Sequence, residues 1–256
     1  MGAYPLLFSL PLFLVAMLFV PPPSVDSTFW LSLTASLFLN ATAYFLYMSA
    51  IRTSPLSLTI PLLAFTPALM IFTGWIILDE MPTSAGILGI VTTLAGGYVL
   101  NINPEQWSLL APIKAVFRER GSRLMFFTAT IYSLSAVIDK KAILHSSPEF
   151  FVVFFYLVFS PTLILCLAAT GNVPFRSYRR HPLAGLGSGL LLFLHGILHV
   201  WAISLTTAAY MVSVKRLSVL FSILYGKLLF HEPHIRLRLL GGTIMLVGTA
   251  LIAFGG

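Results

Sequence analysis

The chain has 256 residues, of which 58% are hydrophobic and 9% charged, and its formal net charge is +7. Its mean hydropathy is +0.94. Soluble domains carry about 25% charged residues, so little soluble mass is expected. The basic excess is then a topology and headgroup signal and not a nucleic-acid footprint. A single cysteine, Cys166, lies inside an apolar run, which excludes an internal disulfide and a cysteine metal cluster.

The N-terminal run MGAYPLLFSLPLFLVAMLFVPPP has no basic leading segment and no small-residue cleavage site, so it reads as a first span and not a signal peptide. Nine apolar spans follow one another at 4–20, 28–51, 54–78, 84–100, 124–139, 150–170, 182–204, 206–230 and 239–254. Short connections carry the breakers Pro21–Pro23, Pro82, Gly171-Asn172 and Pro233. The longest non-apolar stretch, 101–123, alternates Trp107, Leu110, Ile113 and Phe117 with Lys114, Arg118 and Arg120. That pattern predicts a short helix lying in the membrane interface, with a plain loop as the alternative.

Connections on one face hold ten basic residues: Arg52, Lys114, Arg118, Arg120, Arg123, Arg176, Arg179, Arg180, Arg236 and Arg238. The other face receives two, Lys140 and Lys141. The positive-inside rule makes the richer face cytoplasmic, with the N-terminus inside and the C-terminus outside.

Lys215 and Arg216 break this economy, because they sit together inside the eighth span. Lys215 lies nine residues into the stretch, about 14 Å deep at 1.5 Å per residue. Each such charge costs roughly 2.5–3.5 kcal/mol even on lenient insertion scales. Positive charge at that depth suits an anionic or strongly polar cargo. The alternative is a buried structural cation paired with a carboxylate or with backbone carbonyls.

Sliding the chain along itself by 152 residues lays SPLSLTIPLLAFTPALMIFTGWIILDEMPTSAGILGI on TTAAYMVSVKRLSVLFSILYGKLLFHEPHIRLRLLGG without a gap. Gly74 meets Gly226, Glu80 meets Glu232, Leu88-Gly89 meets Leu240-Gly241, and Gly96 meets Gly248. The third span matches the eighth, five spans on, so the two copies start on opposite sides of the membrane. Inverted repeats of this kind mark transporters with cargo held between the halves. The expected fold is all-α: a polytopic membrane helical bundle of two inverted repeats. The first repeat covers 1–103 with four spans, the interfacial linker 104–121, and the second repeat 122–256 with five.

Gly74…Glu80…Gly89…Gly96 and Gly226…Glu232…Gly241…Gly248 resemble the paired pattern of the drug/metabolite transporter superfamily, EamA type. The resemblance spans nearly the whole chain. It implies ten helices around a central cavity lined by the third and fourth helices of each unit, and export or exchange of small metabolites. This chain departs by having nine spans, lacking the equivalent of the first helix. The resemblance also implies both termini in the cytoplasm, against the charge count, which is the orientation preferred here. Locally, SVKRLSVLFS is similar to the ninth helix of triose-phosphate translocators, which implies a phosphate-binding role for Lys215 and Arg216. The other basic residues of that phosphate site have no match here.

Polar faces complete the candidate site. On the eighth span Lys215, Ser218, Ser222 and Gly226 share a helical face, bordered by Arg216. On the seventh, Ser188, His195 and His199 do so; on the second, Asn40, Tyr44 and Tyr47. The third span offers Ser57, Pro61 and Thr66, with Pro67 free to kink it and release carbonyls. Its counterparts of Lys215 and Arg216 are Leu63 and Ala64, so charge enters from one half alone. Interhelical hydrogen bonding, worth about 0.6 kcal/mol per group, is the competing reading for each polar residue.

His195 and His199 stand at metal-ligand spacing, but no glutamate or third ligand accompanies them. A hydrogen bond in the cavity is favoured over metal, with proton coupling as the alternative. Asp139 is read at the end of the fifth span as the nearest counter-ion to the cationic pair, or as a cap. Glu80 and Glu232 close their helices and are read as structural or gating residues.

The function expected is secondary transport of a small polar, anionic or zwitterionic metabolite across the cytoplasmic membrane by alternating access. A flippase for lipid-linked sugars and a non-transporting assembly protein are the alternatives. The acidic residues lie nearly all at span ends and no phosphate-binding glycine loop occurs, so neither an enzyme nor ATP as the driving force is expected. The partners expected are the small-molecule substrate, the lipid bilayer and a second copy of the chain, with no nucleic acid, cofactor or metal.

Overall fold

A computed structural model describes residues 4–54, 59–100, 118–169, 182–218, 221 and 235–255. All regular structure among them is helical: α1 (Tyr4–Met17), α2 (Ser27–Thr53), a 3-10 segment (Ile60–Phe65), α3 (Thr66–Leu78), α4 (Ser84–Leu100), α5 (Arg120–Leu144), α6 (Pro148–Ala169), α7 (Pro182–Ser204), α8 (Ala208–Lys215) and α9 (Ile235–Gly255). Four of these, α2, α5, α6 and α7, are long and apolar enough to cross a membrane. The interfacial linker helix expected at 107–117 lies outside the described residues.

Two expectations change at this level. The fifth span was read as ending at Asp139, yet α5 continues to Leu144. Charge marks where hydrocarbon ends, not where a helix ends, and Lys140 is buried inside the last turns. A proline kink was expected in the third span at Pro61 and Pro67, and one continuous helical face in the eighth. The third carries a 3-10 segment up to Phe65 before α3 begins, and the eighth leaves α-helix after Lys215.

The chain forms two compact units, Met1–Ala41 with Ile138–Leu205, and Thr42–Val137 with Thr206–Gly256. In the first, α1, α6 and α7 pack together. Phe13 of α1 is fully buried; its ring stacks on Tyr156 at 4.6 Å and meets Phe193 edge-on at 4.9 Å. Gly185 and Gly189 let α7 close onto Phe8, because a Cβ at Gly189 would lie 2.6 Å from the Phe8 backbone. Small residues are what permit such approach where lipid supplies no hydrophobic drive. The far side of α7 presents Leu183, Leu191 and Leu198 outward, each about 70% exposed or more, as a lipid-facing surface requires.

At the end of this unit Asp26 caps α2. Its Oδ1 accepts the Phe29 backbone N–H at 2.9 Å, and its Oδ2 meets His145 Nδ1 at 2.9 Å. The Phe29 N–H, followed by His145, holds the Asp26 carboxyl below its ordinary value. A depressed carboxylate stabilises the fold above the unfolded-state value and loses that contribution as pH falls through the folded one. Thermal unfolding in detergent should therefore find Asp26→Ala less stable than wild type at neutral pH. The gap should shrink below about pH 4, and Asp26→Ser, which keeps an N-cap acceptor, should recover part of it.

In the second unit α4 and α9 run antiparallel in close contact. Gly89 lies against Gly248 and Ile252, and Gly96 against Gly241 and Met245. Ala50, Leu62 and Met125 form a buried cluster, with Tyr47, Ile60, Leu63 and Phe65 around it. Tyr210 of α8 bonds back to the start of α4, accepting the Thr83 N–H at 2.9 Å.

Candidate functional site

α3 ends in a way that aims one carboxylate. Asp79 takes a left-handed conformation with φ 55°, a region that Asp visits more readily than other non-glycine residues. The Asp79 N–H returns to Trp75 O at 3.1 Å, the bond of an αL helix end, and the Glu80 N–H reaches Gly74 O at 3.2 Å. Glu80 is thereby turned toward α8, where its Oε2 accepts the Ala208 N–H at 3.2 Å. Thr207 adds a side-chain cap to Tyr210 N at 3.4 Å. The first turn of α8 thus has two acceptors for its otherwise unpaired donors, and an acidic group at the positive end of its dipole.

The other end of α8 carries the cationic pair. Lys215 is its last residue and Arg216 its C-cap. The Arg216 N–H bonds both Val212 O and Ser213 O, and the Leu217 N–H reaches Val214 O at 2.9 Å. That tightening toward 3-10 geometry interrupts the α-helix, and helical structure resumes at Ser218. Lys215 is exposed and Arg216 half-buried.

Arg216 is held by the 3-10 segment. Leu63 is the residue whose carbonyl has Pro67 as its α-helical partner four places on, and proline has no N–H. That carbonyl accepts the Thr66 N–H of the 3-10 turn in place of an α-helical donor, and also Thr66 Oγ1–H at 2.7 Å and Arg216 Nη2–H at 2.8 Å. Arg216 Nη2 also lies 3.4 Å from Thr66 Oγ1. Arg216 Nε–H is buried and has no partner among the described residues, so this guanidinium keeps a donor in reserve. Arg216 is thus paired with a backbone carbonyl. Lys215 is the cation at the surface of the interruption.

The remaining candidates fall as follows. Tyr44 and Tyr47 belong to the second unit, Tyr47 packed on the Ala50 cluster. Ser218 is exposed beyond the interruption. The α-helix that carries Lys215 is interrupted at Arg216 and Leu217 before Ser218. Ser222 and Glu232 lie outside the described residues. In the first unit His195 and His199 stack with ring centroids 5.8 Å apart; His195 is exposed and His199 half-buried. Asn40 of α2 and Asp139 of α5 also belong to this unit. The Asp139 carboxylate is engaged by Ser36 Oγ and Asn40, so its hydrogen bonds go to α2.

Sequence reasoning passed over two participants. Ser36 continues the Asn40–Tyr44–Tyr47 stripe one turn earlier, and extending the spacing backward finds it. The Leu63 carbonyl announces itself only through Pro67 four residues on. Among the described residues no group of three metal-ligating side chains occurs.

The profile of the EamA-like transporter family matches residues 1–102 and 120–254. No curated protein matches the sequence. A solved structure described only as the crystal structure of a protein superposes with a TM-score of 0.68 at 15% identity, covering 99% of this chain and 88% of that one. At that identity the likeness concerns the fold alone. The family profile, in contrast, takes in almost every residue, and the chain belongs to the EamA-like transporter family, integral multi-pass membrane proteins that carry small molecules.

Proposed function

We propose that this chain is a secondary transporter of a small anionic or zwitterionic metabolite, working by alternating access in the cytoplasmic membrane. Its nine spans are read as two inverted repeats, 1–103 and 122–256, joined by the linker 104–121. The observation that carries the proposal is the Lys215–Arg216 pair at an interruption inside an apolar stretch. Broken helices place backbone dipoles and charge where cargo binds, and an exposed lysine beside an anchored arginine is a fixed positive field without a covalent role. Support for the repeat comes from register. The 3-10 segment ends at Phe65, and the eighth-span interruption at Leu217 falls on the same position after the 152-residue shift.

A ligand-stabilisation screen of purified protein tests this, using phosphorylated sugars, amino acids and carboxylates as probes, followed by uptake into proteoliposomes. Wild type should be stabilised by at least one anionic or zwitterionic class and should move it. A chain that responds to none of them and transports none overturns the metabolite reading. Movement of fluorescent lipid-linked sugar analogues instead favours the flippase. Loss of assembly in Lys215→Gln, which leaves the Arg216–Leu63 hydrogen bond in place, favours a structural protein.

A further inference from the structure

We propose that Asp139, with Ser36 and Asn40, is a proton-binding site that couples this carrier to a proton gradient, an inference that rests on the transport reading for its coupling but not for its chemistry. The site lies wholly within the first unit, between the N-terminal part of α2 and the C-terminal part of α5. At 1.5 Å per residue Asp139 is about 8 Å from the end of α5, and Ser36 about 14 Å from the start of α2. Ser36 therefore lies inside the apolar stretch 28–51, and Asp139 at the last position of the apolar stretch 124–139, five residues before α5 ends. Ionisable groups on helices of this kind mark ion pathways and proton relays more often than scaffolding.

The hydrogen bonds run one way. Asn40 Nδ2 donates to Ser36 O at 3.1 Å and to Ser36 Oγ at 3.2 Å. Ser36 Oγ–H donates in turn to Asp139 Oδ1, and Asn40 also hydrogen-bonds Asp139. Each neighbour thus offers a hydrogen to the carboxylate. A sodium ion needs several oxygen lone pairs around it, so this donor set suits a carboxylate that exchanges a proton. Among the described residues no basic side chain pairs with Asp139.

Other titratable groups are placed around the site. Tyr156 of α6 interacts electrostatically with Asp139, its ring fixed against Phe13. On α5 itself Lys140 is buried and has its own interaction. Asp26 and His145 form a second titratable contact where α2 begins and α5 has ended. The step is a bare protonation: the carboxylate takes a proton from water on the side to which the site opens and releases it on the other.

The test has two arms. Purified protein in phosphatidylethanolamine–phosphatidylglycerol vesicles is stepped from mildly alkaline to mildly acidic pH while infrared difference spectra follow protonated carboxyl groups. Wild type should show a titrating band that Asp139→Asn removes and Ser36→Ala moves to higher pH, since a donor to the carboxylate is lost. A spectrum unchanged by Asp139→Asn overturns the proton site.

In the second arm, proteoliposomes carry whichever probe of the stabilisation screen is transported. One proton per cargo gives about tenfold accumulation per pH unit of gradient. Asp139→Asn should lose that accumulation while keeping energy-independent exchange of internal for external cargo. Retained proton-driven accumulation in Asp139→Asn, or accumulation driven by sodium in wild type, overturns the coupling. If no probe moves in wild type, the carrier reading and the coupling fall together, and the infrared arm decides the proton site alone.

Discussion

Lys215→Gln is expected to reduce uptake of an anionic cargo at least about tenfold, a factor equivalent to 1.4 kcal/mol, while leaving the melting temperature nearly unchanged. Arg216→Met should do the opposite first. It should lower stability, by about 1.5–3 kcal/mol for the loss of hydrogen bonds from a charged donor, and lose transport as a consequence. The reason is positional. The Lys215 side chain is exposed at the end of α8, and substitutions at exposed positions usually change stability by about 0.5 kcal/mol or less. Arg216 is tied to the carbonyl that Pro67 leaves without its helical donor.

Arg216→Lys should recover little stability, since an ammonium on a flexible stem does not reproduce the guanidinium fork. Thermal unfolding in detergent together with proteoliposome uptake separates the two effects. Equal destabilisation by Lys215→Gln and Arg216→Met would remove the division of labour between the two cations.

Gly96→Leu and Gly248→Leu are expected to abolish accumulation of folded protein. A Cβ at Gly96 would stand 2.6 Å from both Gly241 O and Met245 N, and one at Gly248 would stand 2.7 Å from Gly89 O. These neighbours are backbone, which cannot rotate away, so α4 and α9 must separate. For alanine that overpacking costs about 1–3 kcal/mol; leucine at the same place leaves no room for the contact. Gly187→Ala is the control. Nothing lies within 4 Å of its Cβ position, so alanine should be neutral or stabilising by up to about 1 kcal/mol through helix propensity. Detergent-solubilised yield and melting temperature check all of these. Normal folding of Gly96→Leu would contradict the close packing of α4 and α9.

The same residues show how far the sequence could be read. The start of the fourth span at 84 and both limits of the seventh, 182–204, coincide with α4 and α7, because turn residues and apolar runs change together there. The fifth span was cut short at Asp139 because two lysines follow it. Those lysines mark a change of polarity, and α5 extends past it to Leu144. The break at Lys215 was hidden, since nothing in SVKRLS stops a helix locally; the Arg216 side chain is drawn to a carbonyl 153 residues away. The polar stripe on α2 was visible as a period, yet its bond to Asp139 joins residues 103 apart and no spacing rule reports it.

Hydropathy, charge placement and the paired glycine–glutamate pattern were enough by themselves to make this a polytopic helical membrane protein with a cationic pair inside a span. All three are local properties, summed along the chain. Which cation is anchored and which is exposed, where Glu80 reaches, and what engages Asp139 were decided only by tertiary structure. Those outcomes depend on which donors and acceptors distant helices bring within about 3 Å of each other.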